Sequence, residues 1–296
     1  WLSNPRLSLE LCFKAWVGWL LGSVDSQEWV LWVDETALSS HLRVMMIGLA
    51  YQQRCIPVCW KCYLPDAYPS AGQVKVIEEM LIRLASWLPA SKQVLLEADR
   101  GIGTSPELIR TVERLGWQYL FRVQNDSKVV TRRGNWRALG QLVTPGETWQ
   151  GTGIVFKQRG RIAAYVRVVW QLGQAEPWCL VTNNPALAGA AYALRVWQEE
   201  GLRDLKSGGW QWQRSQIWQP AHAERLLLVL TLAYAWALTQ GTLLLTVPAW
   251  RARITRGSKR RFSRFREGLR HLRYACHHQP HQVYPGLFFA PDKLLC

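Results

Sequence analysis

VLLEADRGIGTSPELIRTVERLGWQYLFRV, residues 94–123, decides the fold. VLLEAD is an apolar run that stops at Asp99 and reads as a strand. Thr104 or Ser105 then offers a helix cap, Pro106 suits the first turn, and Gly116 closes the helix. WQYLFRV, 117–123, reads as the next strand. Upstream, Val76, Met80, Leu81, Leu84 and Trp87 recur at a helical period over 72–88, with Pro89 just beyond. Before that helix stand three strand-like runs: WVLWVDET (29–36), LRVMMIGLAY (42–51) and CIPVCWKCYL (55–64). The last two make a hairpin, and Pro57 puts the third run at a sheet edge.

The order is therefore strand, strand, strand, helix, strand, helix, strand, which is ribonuclease-H-like. In such an α/β sheet the first and fourth strands lie side by side. Their C-terminal ends bring Asp34 and Asp99 together, where open α/β sheets place their chemistry. Downstream, 127–182 alternates short strand-like pieces with Gly and polar residues and reads as a β-rich insertion. Asn184-Pro185 starts a helix that carries Glu199, and a long apolar helix runs from about 222 to 245. The expected organisation is a lead-in over 1–28, a mixed-sheet catalytic core over 29–126 and 183–247, the insertion over 127–182, and a basic helical C-terminal region over 248–296. The chain opens on Trp1, so the lead-in is expected to be a trimmed N-terminal region.

Net charge is +15, which points to a polyanion and most often to nucleic acid. The excess is clustered: residues 251–273 carry ten Lys or Arg and one acid. Lys259, Arg260, Arg261 and Arg264 are the phosphate contacts expected there, sequence-independent and salt-sensitive. Seven cysteines do not suggest a disulfide framework. The most apolar run, 226–238, falls short of the roughly 20 residues that span a bilayer. A reducing cytoplasm, with no membrane partner and no small-molecule cofactor, is the expectation. Cys55, Cys59 and Cys62 lie in a strand and read as buried thiols rather than a zinc site; His277, His278 and His281 read as an exposed tail.

The chemistry sits in AYALRVWQEEGLRDLKSGGW, 191–210. At about 100° per residue, Tyr192, Arg195, Glu199 and Lys206 fall within roughly a 60° arc of one helix face, with Arg203 on the same side. Leu194, Trp197, Gly201 and Leu205 face the core. Taken singly, Asp34 and Asp99 are ordinary strand-end residues, and Arg195–Glu199 an ordinary helix pair. Together, three acids amid cations suit two divalent ions and a phosphodiester. Asp34 would bridge both ions, while Asp99 and Glu199 would each complete one. Arg195, Lys206, Arg203 and Arg100 suit phosphate contacts, and Tyr192 a hydrogen bond to a phosphate or stacking on a sugar or base. Glu97 shares the strand face of Asp99 and would stand behind it.

The spacing Y-x2-R-x3-E-x6-K, met by Tyr192, Arg195, Glu199 and Lys206, resembles the signature of the IS-four family of bacterial insertion-sequence transposases of the DDE type. ADRG around Asp99, DLKSGGW after the glutamate and a basic S-x-F-x-x-G-L segment (Ser263, Phe265, Gly268, Leu269) are similar too. The resemblance implies cut-and-paste transposition with Mg²⁺ or Mn²⁺, two ions per site, on terminal inverted repeats and target DNA. A homodimer on paired ends is the expected working form. Several members of that family stack a flipped base on an aromatic in the insertion, for which Trp170 is the candidate. A DNA-binding derivative without activity, or a structure-specific nuclease on the same fold, stays open as the alternative.

Overall fold

The computed structural model describes residues 2–24, 26–132, 134–158, 160–187, 189–251 and 262–289. Lys259, Arg260 and Arg261 lie outside them. The described residues form one ten-stranded sheet in the order β3-β2-β1-β4-β5-β10-β9-β8-β6-β7.

The first five strands are β1 (Glu28–Ala37), β2 (Arg43–Tyr51), β3 (Arg54–Tyr63), β4 (Gln93–Ala98) and β5 (Gln118–Arg122). β1 to β3 are antiparallel; β4 joins β1 in parallel, and β5 joins β4 in parallel. This is the ribonuclease-H-like order expected. β3 is the outer edge, and its register shifts between Ile47 and Gly48, opposite Cys59 and Pro57. Proline, which has no N–H to donate, thus sits at a bulge on an edge strand.

Helices α2 (Gly72–Ala85), α3 (Arg100–Gly103) and α4 (Pro106–Arg114) supply the connections. Ser105 caps α4 by accepting the Leu108 N–H, with Pro106 in its first turn. Gly116, just past its end, takes φ +72°, which favours glycine.

The stretch 127–182 continues the same sheet. β6 (Lys128–Val130), β7 (Arg137–Ala138), β8 (Thr148–Val155) and β9 (Ile162–Val169) lead to β10 (Trp178–Thr182), which pairs antiparallel with both β9 and β5. The lead-in reading fails for 9–23, which form helix α1 (Leu9–Ser23), capped by Ser8. Phe13, Trp16, Val17 and Leu20 bury its inner face, and Trp16 Nε1 donates to the Pro57 carbonyl at 2.8 Å. Exposed Leu11 and Trp19 on the other side hid that period in the sequence.

Helix α5 (Val196–Arg203) crosses the other face of the sheet, followed by α6 (Pro220–Thr246), α7 (Pro248–Arg251) and α8 (Arg264–His278). α6 runs longer than the apolar stretch suggested. It is long and apolar enough to cross a membrane, yet 67% of its most apolar window is buried in the protein, including Thr231, Thr239 and Gln240. Gly241 and Gly268 let α6 and α8 cross in backbone contact: a Cβ on either would overlap a carbonyl of the other helix.

Candidate active site

The two faces of the sheet follow the strand period of two. On β1, Trp29, Leu31 and Val33 enter the large core, while Val30 and Trp32 enter a smaller one under α5. Asp34 continues the second set. On β4, Leu95 lies in the smaller core, so Glu97 and Asp99 share its face. On β5, Leu120 does, so Arg122 follows. The register aligns Val33 with Ala98 and Ala98 with Phe121. One step on, Asp34, Asp99 and Arg122 follow these paired residues in a row across three parallel strand ends.

Each acid in this row is half-satisfied. Asp34 Oδ1 accepts the Glu35 N–H at 2.8 Å. Asp99 Oδ1 caps α3, accepting from Gly101 and Ile102 at 2.9 and 3.2 Å. Gly103 lets that turn lie on the end of β5, since a Cβ there would overlap the Arg122 carbonyl. Burial first, and then Asp99, push the Asp34 carboxyl up to about 6; Arg195 opposes this and Glu199 adds to it.

The signature segment is not one uniform helix. It winds as a 3₁₀ turn over Gly189–Arg195, as α5, and as a π turn over Asp204–Gly208. Only Arg195, Glu199 and Lys206 of the stripe reach the acids from the outside. Arg195 Nη1 holds Glu199 Oε1 at 3.0 Å. Lys206 Nζ donates to Thr36 Oγ1 at 2.7 Å, two residues beyond Asp34. Burial pulls the Lys206 ammonium down, and Asp34 opposes that.

Tyr192 is buried instead. It packs edge-on against Trp178, its hydroxyl has no hydrogen-bond partner among the described residues, and burial raises its pKa. It is therefore withdrawn from a base or phosphate, although Asp99 and Glu97 are among the charges it feels. Arg203 points away from the acids and pairs with Glu200 at 2.6 Å.

Two features of this site gave little sequence signal, and the burial of Glu97 adds a third to what its strand face implied. Gly201 lets α5 lie against β3: a Cβ would stand 2.8 Å from Cys55 N and O. Arg54 Nε meets Asp204 Oδ2 at 2.6 Å in a buried ion pair where the π turn begins. Glu97 is fully buried, neither oxygen has a partner among the described residues, and burial pushes its carboxyl well above the usual range. A polar residue late in a strand, as Glu97 and Arg122 are, was the only available signal.

The remaining candidates lie elsewhere. Arg100 binds both oxygens of Glu176. Trp170 is partly buried at the end of β9, with Nε1 donating to the Gln174 carbonyl at 3.0 Å, so its ring edge is already engaged. Arg264 starts α8 with Nη1 buried against the protein. Cys55, Cys59 and Cys62 are buried free thiols; burial raises all three, Cys59 to about 12.

Among the described residues no cluster of three or more His, Cys, Asp or Glu stands ready to hold a metal ion. The donor chemistry nevertheless fits Mg²⁺, which is usually held by one or two carboxylates with waters and substrate phosphates. Asp34 and Asp99 are two such carboxylates, and the repulsion between them is what a cation would relieve.

The strand order and the acids at its parallel strand ends define the class: a ribonuclease-H-like protein acting on nucleic acid. Residues 66–236 match the family model described as Transposase DDE domain, and the chain belongs to that family. The match takes in Asp99 and the whole signature segment and begins after Asp34, whose place rests on the strand register. Among solved structures, human ENDOV is 13% identical over 75% of this chain and 96% of its own, with a TM-score of 0.31. Kluyveromyces polysporus Argonaute, solved with a guide RNA, is 14% identical over 76% of this chain and 30% of its own, with a TM-score of 0.24. Neither likeness adds to what the strand order shows. No curated protein matches the chain.

Proposed function

We propose that this chain is a cut-and-paste transposase of the IS-four type, cleaving and joining DNA strands at insertion-sequence ends. The observation that carries the reading is geometric: Asp34 and Asp99 follow the last paired residues, Val33 and Ala98, of two adjacent parallel strands, and Lys206 of the signature segment donates to Thr36, two residues beyond Asp34. These residues come from distant parts of the chain and converge on one strand-end row. Two divalent cations, Mg²⁺ or Mn²⁺, would supply the acidity that activates a water or a 3′-hydroxyl and steadies the leaving oxygen. Asp34 and Asp99 would hold them through their free oxygens. Glu199 would complete the donor set once released from Arg195, whose guanidinium would then be available to a phosphate. Lys206, anchored on Thr36, keeps a positive charge beside the reacting bond. Arg54 and Asp204 fix the turn that aims Lys206.

The DNA is double-stranded, with the element's inverted repeats as donor ends and a second duplex as target, handled by a homodimer on paired ends. The test is strand cleavage on DNA carrying the inverted repeats that flank the coding region, with and without Mg²⁺, for the wild type and Glu199→Gln. Metal-dependent nicking followed by joining, both lost in the variant, supports the reading. Binding without cleavage leaves a DNA-binding derivative, and cleavage without joining leaves a nuclease.

A further inference from the structure

The row of strand-end residues extends into a second cluster beside Asp99. Glu176 lies between β9 and β10 and reaches back to that row. Arg100 Nη1 donates to its two oxygens at 2.7 and 2.9 Å. Arg122 Nη2 donates at 2.5 Å and Asn125 Nδ2 at 3.0 Å. Two guanidiniums and an amide thus converge on one carboxylate, a donor set that suits a phosphate equally well. The site is built rather than incidental. Arg122 is mostly buried, its Nε lacks a partner among the described residues, and its strand is next to that of Asp99. Glu176 itself is exposed enough to leave, with 38% of its side chain open to solvent. The cluster borders a cavity of about 1000 Å³ lined by Arg100, Gly101, Asn125, Lys128, Lys157 and Glu176. Arg100 and Gly101, the two residues after Asp99, are on its wall.

We propose that Arg100, Arg122 and Asn125 form a binding site for a DNA backbone phosphate next to the one being cut, and that Glu176 occupies it as a displaceable mimic until DNA arrives. The proposal rests on the reading of the chain as a DNA-processing enzyme. The carboxylate holds the two arginines in place without substrate. A phosphate that enters takes over the same donors, and Glu176 swings into solvent. The cost of displacing the carboxylate falls on every duplex bound, so binding is weaker than the arginines alone would allow.

The test is binding of a short duplex oligonucleotide in metal-free buffer, followed by fluorescence anisotropy across a salt series. Glu176→Gln is expected to bind roughly tenfold tighter than wild type, with the salt slope steeper by about one. Arg122→Gln added to Glu176→Gln is expected to abolish the gain. Glu107→Gln is the control, because it removes the same unit charge from the same cavity without freeing an arginine. If Glu176→Gln binds like wild type, or gains no more than Glu107→Gln, the proposal is overturned while duplex binding by the wild type leaves the broader reading intact. If the wild type binds no duplex at all, both fall. Should Glu176→Gln merely lower the melting temperature with affinity unchanged, the cluster is a structural clamp and the proposal fails.

Discussion

Replacing Asp34 by Asn should make the metal-free protein more stable, and only above acidic pH. Burial and the neighbouring Asp99 raise the Asp34 carboxyl from 3.8 to about 6 in the fold. Between those values the folded chain keeps a proton that the unfolded chain has released, so stability falls as pH rises through that window. At about 1.4 kcal/mol per unit, the shift of about two units amounts to about 3 kcal/mol of lost stability at pH 7 and above. Below pH 4 both forms are protonated and the penalty vanishes. The substituted amide cannot ionise, and its side-chain oxygen can still accept the Glu35 N–H. In chelator at pH 8 the Asp34→Asn variant should melt roughly 6 °C above wild type, at about 2 °C per kcal/mol for a chain of this size. At pH 3, below the unfolded value, the two should coincide. Mg²⁺ at pH 8 should raise the wild-type melt and leave the variant unmoved. A gain of equal size at both pH values, or a less stable variant at pH 8, would refute the electrostatic account.

Three other outcomes follow from the same geometry. Arg54→Met leaves Asp204 buried without its partner and should destabilise by about 3–5 kcal/mol in urea unfolding, whereas Arg203→Met on the exposed pair should cost under about 1 kcal/mol. Gly201→Val presses a side chain into the Cys55 backbone and should cost about 1–3 kcal/mol, with cleavage activity falling further than stability because Glu199 rides on the same helix. Lys206→Met should reduce cleavage at least tenfold in rate with the melting temperature nearly unchanged, since its one hydrogen bond, to Thr36, is partly exposed.

Much of this was legible in the residues. β1 and β4 carry apolar runs buried on both faces, Trp29–Val33 and Val94–Leu96, and Asp34 in one and Glu97 with Asp99 in the other are the first carboxylates after them. Ser105-Pro106 and Gly116 framed α4 because capping is local chemistry. In the structure Arg195 pairs with Glu199, and Lys206 donates to Thr36, two residues beyond Asp34. The winding of that segment was not legible. A 100° period assumes one helix type, and only packing against Trp178 and β3 imposes a 3₁₀ start and a π end. Tyr192 packs against Trp178 in the core, and Arg203, in the regular turn after Glu199, pairs with Glu200. Helix α1 was missed because apolar residues surround it on nearly every side, so no stripe stood out.

The sequence by itself determined the order of the elements, the two strand-end aspartates and the helical glutamate, because period, caps and breaks are properties of neighbouring residues. Only the tertiary structure decided that Arg122 stands in line with Asp34 and Asp99, that Arg54 lies under Asp204, and that Glu176 reaches the arginines beside the acids. Those meetings join residues far apart in the chain, 54 positions for Arg122–Glu176 and 150 for Arg54–Asp204. Strand register and close backbone approach at Gly103 and Gly201 create them, and neither leaves a local mark in the chain.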